Sequence, residues 1–208
     1  MSTDFRTAAK AIYDQLDDLA SRAVGNYKRA VTVFTERDGT GAADVIETAE
    51  EISADIVKFE DAITTTLALY QPVAVDLRQI MRSFKLAHDF EKIASLSARI
   101  AKKTRKLSLL GEINIPAEFQ ANMSKVAWLI DACQQITHDM DDDLAGQIKI
   151  KTEELHQFKS AIKRQIENEI STHPENAKAL MGMLGISRNL VRIADVTSDV
   201  ATELGSDR

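Results

Sequence analysis

Apolar residues in the first third of the chain advance in steps of three and four. Phe5, Ala9, Ile12, Leu16, Leu19, Ala23, Tyr27, Ala30 and Phe34 form one seam, and residues at that spacing share a face of an α-helix. The spacing predicts a helix from about Asp4 to Glu36, broken by the turn residues Asp38-Gly39-Thr40-Gly41. A second seam runs through Val45, Ala49, Ile52, Ile56, Phe59, Ile63, Leu67 and Tyr70. Pro72 ends it, because proline lacks a backbone donor and pushes Gln71 toward extended geometry. A third helix is predicted from about Val73 to Leu109, with Leu77, Ile80, Phe84, Ile93, Leu96 and Ile100 as its buried stripe. Three long amphipathic helices with short connections read as an antiparallel bundle.

The pattern then repeats. Gly111 to Pro116 reads as a linker, where glycine stops one helix and proline restarts the chain. Helix four is predicted from Ala117 to about Asp139, with Trp128, Leu129 and Ala132 in its core. Met140 to Asp143 reads as a turn. Helix five carries Leu144, Ile148, Leu155, Phe158, Ile162, Ile166 and Ile170 up to His173-Pro174. Helix six runs to about Leu204, and Gly205 to Arg208 should fray. Met81 recurs as Met181, Phe84 as Leu184, Phe90 as Leu190, Lys92 as Arg192 and Ile93-Ala94 as Ile193-Ala194, with Pro174 answering Pro72. The expectation is an all-α protein of two tandem three-helix bundles related by internal duplication, over residues 1–110 and 117–208.

Composition narrows the function classes. A chain of 208 residues with 8 Gly and 3 Pro favours helix. Its net charge of −6 argues against wholesale nucleic-acid binding. No apolar run is long enough to span a bilayer and MSTDFRTAAK has no signal-peptide core, so a soluble, cytoplasmic protein is expected. Cys133 is the single cysteine, which excludes an internal disulfide or a thiolate metal cage, and it reads as a core residue. No nucleophile–base pairing, glycine-rich phosphate loop or nucleotide motif is present, so no enzyme is expected and any link to ATP must run through a partner.

QPVAVDLRQI (71–80), LAHDFEKIA (86–94) and SRNLVRIAD (187–195) together resemble the PhoU family, accessory proteins of bacterial phosphate-specific uptake. In that family each half has a proline, then a helix reading roughly LR-x-I and ending D-L-E-R-I-G-D or similar. The resemblance covers nearly the whole chain. It implies a non-enzymatic, homodimeric regulator of phosphate uptake and phosphate-starvation signalling. Such a regulator would contact the phosphate ABC transporter's ATPase and a sensor histidine kinase.

The resemblance also implies acid-x-x-x-acid pairs on the second and third helices of each half, associated with iron or zinc clusters. Carboxylates four apart share a helix face and can hold a cation from one side. Here the aligned positions read Ala49 and Ser53, Glu91 and Ser95, Thr152 and His156, Val191 and Asp195. Only Glu91, His156 and Asp195 survive as candidate metal ligands, so the multinuclear site is expected to be missing or much weakened. Two rivals follow. One is a divergent relative serving another pathway. The other is a carboxylate-bridged metalloenzyme or metal store, against which the ligand count argues. Glu153-x-x-His156 resembles half of a di-iron motif, but no second Glu-x-x-His exists in the chain, so it reads as an incidental surface pair.

Charged residues supply the remaining candidates. Arg78, Arg82 and Lys85 share a face of helix three and are expected toward solvent, as a strip that docks an acidic partner surface. Arg99, Lys102, Lys103, Arg105 and Lys106 read as a solvated helix end, with docking to an acidic partner as the functional alternative. Asp141 to Asp143 suit a helix start. His88, His138 and His173 read as exposed or capping.

Overall fold

The computed structural model of the protein describes residues 3–110, 116–139 and 142–206. The helices are α1 (Thr3–Glu36), α2 (Ala42–Tyr70), α3 (Ala74–Leu107), α4 (Ala117–Asp139), α5 (Asp142–Thr172) and α6 (Ala177–Ser206). There is no strand among the described residues. The whole first seam is buried, from Phe5 to Phe34, and α2 buries Val45 through Ile63 at the predicted spacing. Each half therefore forms a three-helix bundle around its own apolar seams. The expected turn at Met140-Asp141 and residues 111–115 of the expected linker lie outside the described residues, as does the side chain of Asp142.

Two corners show how the helices are ended. At the first, Arg37 takes a left-handed φ of 54°. The Asp38 side chain then accepts hydrogen bonds from the N–H groups of Thr40 and Gly41, both at 2.9 Å. Gly41 leaves room for this arrangement, since a Cβ would stand 2.3 Å from Asp38 Oδ2. Arg37 reaches on to donate to the carbonyls of Leu107 and Leu110, at 2.8 and 2.9 Å. The Leu107 carbonyl, at the end of α3, also accepts the Leu110 N–H at 3.0 Å, and Leu110 lies just past the helix.

The second corner corrects the expectation for Gln71. It is not extended but left-handed, at φ 43° and ψ 60°, and its N–H bonds to the Leu67 carbonyl. Capping a helix end with a left-handed residue satisfies an otherwise open carbonyl, and extended geometry is deferred to Val73 (ψ 165°). Pro72 and Pro174 both precede the third helix of their half, Pro174 within a short 3-10 turn over Pro174–Asn176.

Leu77 also departs from its predicted place. It is exposed, as are Val73, Val75 and Met81. All four sit near the α2–α3 corner, where α1 is only beginning and little remains to cover them. Ile80, Ile93, Leu96 and Ile100 are buried as the stripe requires, and Phe84 is partly so.

The two bundles share one continuous core. α3 packs along α6 and α1 along α4. Tyr27 is fully buried and donates its hydroxyl to the Met123 carbonyl at 2.9 Å. Phe34 stacks on Phe119 at 5.6 Å, and Phe119 meets Phe158 edge-on at the same separation. Among the described residues no helix is long and apolar enough to cross a membrane.

Candidate functional site

The positions where the resemblance places paired carboxylates form two equivalent contacts, one in each half. In the first, Ser53 on α2 donates its hydroxyl to Glu91 on α3. Ala49, one turn earlier on α2, is buried and supplies no donor atom. In the second, His156 on α5 lies with Nε2 2.8 Å from Asp195 Oδ1 on α6. Thr152, one turn before His156, is buried, and its hydroxyl oxygen lies 2.9 and 3.3 Å from the Ile148 and Ala194 carbonyls. Val191 is buried and apolar.

The structure therefore brings Asp195 and His156 together and leaves Glu91 in the other half, tied to Ser53. Among the described residues no three His, Cys, Asp or Glu side chains converge so as to hold one ion. Iron and zinc clusters need several donors around shared points. With Ala49 and Val191 packed into the core and the Ser53 hydroxyl committed to Glu91, these residues do not fit a multinuclear cluster.

His88 is more engaged than its spacing suggested. Its Nε2 stands 2.9 Å from Glu60 on α2 and its Nδ1 3.6 Å from Glu91, with the ring edge-on to Phe84 at 4.8 Å. Its ring nitrogens address two different carboxylates on two helices. No local spacing signals this, because the Glu60 contact depends on how α2 and α3 pack. His173 is exposed and pairs with Glu175 in the turn before α6. His138's side chain and Asp141 lie outside the described residues. Cys133 is buried, and desolvation pushes its thiol well above the ordinary range, which leaves it unreactive.

The predicted basic strip divides into three different environments. Arg78 is exposed and Arg82 is half-buried. Lys85 is not a free cation but pairs with Glu203 on α6 at 2.6 Å. Arg78 and Lys85 thus face solvent as expected, while Arg82 does so only in part and α6 supplies Lys85 with an acidic partner. Exposed Val75, Leu77 and Met81 flank Arg78 on the same stretch of helix.

Comparison with known proteins gives a consistent result. The family model described as the PhoU domain matches residues 16–104 and 125–204. A Mycobacterium tuberculosis protein named phosphate-specific transport system accessory protein PhoU homolog 1 is 30% identical over 152 residues, covering 71% of this chain and 68% of that protein. A PhoU homolog 1 from Methanothermobacter thermautotrophicus is 23% identical over 198 residues, covering 95% of this chain and 90% of its own length. The crystal structure of PhoU from Pseudomonas aeruginosa superposes with a TM-score of 0.91 at 20% identity, over 96% of both chains. The phosphate transport system regulatory protein PhoU from Streptococcus pneumoniae gives 0.86 at 19% identity, over 98% of both. The two superpositions establish a shared fold.

Proposed function

Because the chain belongs to the PhoU domain family, we propose that it is a non-enzymatic, cytoplasmic regulator of phosphate uptake and of phosphate-starvation signalling. The observation that carries this reading is that both halves match the domain in tandem, with relatives named as accessory proteins of phosphate-specific transport. Its action runs through protein contacts, with the ATPase of the phosphate ABC transporter and with a sensor histidine kinase as partners, and it works as a homodimer. The α2–α3 corner supports such contacts. An exposed arginine set among exposed aliphatic side chains combines charge steering with apolar area, as protein interfaces do.

The test is deletion of the gene in its own host under phosphate-replete growth. Phosphate uptake and a starvation-responsive reporter should both rise, and complementation should restore them. If both stay at the wild-type level, the proposal fails.

A second reading has one observation in its favour. The positions that would carry carboxylates hold Ala49, Ser53, Ser95 and Val191 instead, which suits a divergent relative that has left phosphate control for another pathway. Adjacency of the gene to phosphate-transporter genes supports the first reading, and its absence together with a silent deletion supports the second.

A further inference from the structure

A concentration of positive charge on the molecule belongs to neither contact described above. α3 and α6 line a groove of about 470 Å³. Arg99, Lys102, Lys103 and Lys106 reach it from α3, and Lys178 and Arg192 from α6. None of these six is paired with a carboxylate among the described residues, and no acidic side chain lines the groove. This is unexpected in a chain whose net charge is −6. A helix end needs a few cations to offset its dipole, but that account covers only the α3 residues.

Five of the six cations are exposed and Lys103 is half-buried, and three details give the surface between them a shaped recess. Asn189 lines the groove at 5% exposure, and its Nδ2 is buried without a hydrogen-bond partner. An unsatisfied buried donor costs stability, and a bound acceptor removes that cost. α6 carries Gly182 and Gly185 where it meets α3. At Gly185 a Cβ would stand 2.5 Å from Lys103 Nζ, so the bare backbone lets that ammonium lie against α6. Finally, the groove adjoins a smaller recess lined by Lys92, Ser95, Leu96, Arg99, Arg192 and Asp195. Its one carboxylate, Asp195, is already engaged by His156.

We propose that this groove is a binding site for a run of linked phosphates, recognised through the phosphates alone. Six cations and a neutral amide donor match a ligand with many acceptor oxygens and several negative charges. The recess is concave and sized for a small molecule, which fits a short oligophosphate better than the flat face of an acidic protein. No aromatic ring lines it, so a nucleobase finds no stacking platform. Inorganic oligophosphate and the phosphate tail of a nucleotide share this chemistry, and the experiment separates them. The inference rests on the groove's own residues and stands whether or not the chain regulates phosphate uptake.

The experiment is calorimetric titration of the full chain in magnesium-free buffer with tripolyphosphate, orthophosphate, ATP and a polyglutamate peptide. Parallel thermal melts use the double variant Lys102→Gln, Lys106→Gln and the control Lys10→Gln on α1. Tripolyphosphate should bind, and should raise the melting temperature. Orthophosphate should bind at least about tenfold more weakly, since it reaches fewer of the cations. ATP should match tripolyphosphate within about threefold, its base adding nothing. The double variant should weaken tripolyphosphate by at least about tenfold, as loss of charge-assisted bonds does. Without ligand it should melt at or above the wild-type temperature, because it relieves like-charge repulsion. Lys10→Gln should change neither. Absence of tripolyphosphate binding, or equal weakening by the control, overturns the site. ATP binding more than about tenfold tighter overturns recognition by phosphates alone. Polyglutamate binding as tightly as tripolyphosphate makes the groove a protein-docking surface and overturns the proposal.

Discussion

Asp89 lies on α3 on the side that faces α6, and burial pushes its carboxyl up to about 6. Lys92 and His88 pull it down, while Glu203 and Asp199 push it further up. The sign of the consequence follows from linkage. The folded protein holds a proton that the unfolded chain, with a carboxyl near 3.8, has already released. Asp89 therefore makes the protein less stable as pH rises from about 4 to 6, and the full cost is present at neutral pH. Because Asp89 is only partly buried, solvent screening reduces the effect, and Asp89→Asn should raise stability at pH 7 by on the order of 1–2 kcal/mol and flatten the slope between pH 4 and 6. Denaturant unfolding at pH 4.5 and pH 7 measures both, and an unchanged difference between the two would refute the assignment.

The same scale decides the metal question. With Ala49 and Val191 in the core and Ser53 bonded to Glu91, protein purified without chelators should carry less than about one tightly bound iron or zinc per chain. Elemental analysis finding several metals per chain would overturn this. If a single ion is found, His156 and Asp195 are the proposed ligands, and Asp195→Ala should remove it. That contact was legible in the sequence because counting from each proline aligns α5 with α2 and α6 with α3. The Glu60–His88 contact was not, since partners on two helices leave no spacing to read.

At the scale of elements, periodicity located the helices and both proline corners, because burial of one face is written into every third or fourth residue. It could not say where a face runs out of neighbours. Leu77 obeys the stripe and is nevertheless exposed, since cover at the α2–α3 corner depends on where α1 begins. Nor did composition reveal how Arg37 works. Its left-handed backbone ends α1, and its guanidinium caps two carbonyls at the end of α3. Arg37→Ala should cost about 2 kcal/mol, by leaving acceptors that charged donors had satisfied. Arg37→Gly relieves the backbone but still loses both bonds, so it should recover only part of that. A melt unchanged in both variants would show that water replaces the guanidinium without penalty.

At the scale of the molecule, a duplicated sequence invites a description as two independent bundles. The packing of α1 on α4, through Tyr27, Phe34 and Phe119, and of α3 on α6 joins them instead. Helical periodicity states which face is buried and is silent about what covers it, so this joint was invisible in the chain. Unfolding should accordingly be one cooperative transition. Phe119→Ala, which removes a fully buried ring between α1 and α5, should cost about 3–5 kcal/mol and lower that single transition. Two separated transitions in the wild-type protein would contradict the shared core.

The joint also governs how a partner surface can be tested. Reversing the whole predicted strip would disturb more than solvent-facing charge, because Lys85 holds Glu203 across the α3–α6 seam and Arg82 is half-buried. Arg78 is exposed, and the aliphatic side chains beside it, Val75, Leu77 and Met81, are exposed too. Arg78→Glu should therefore leave the melt within about 0.5 kcal/mol of wild type, as surface substitutions do. If an acidic partner docks at this corner, the same change should slow association and reduce its salt dependence. Met81→Ser, which removes apolar area without touching charge, should instead speed dissociation. The measurement is surface-captured kinetics of the transporter ATPase and of the histidine kinase at two salt concentrations. Unaltered kinetics in both variants, with an unaltered melt, would place the contact on another face. A large fall in the melt of Arg78→Glu would make this arginine part of the fold rather than part of an interface.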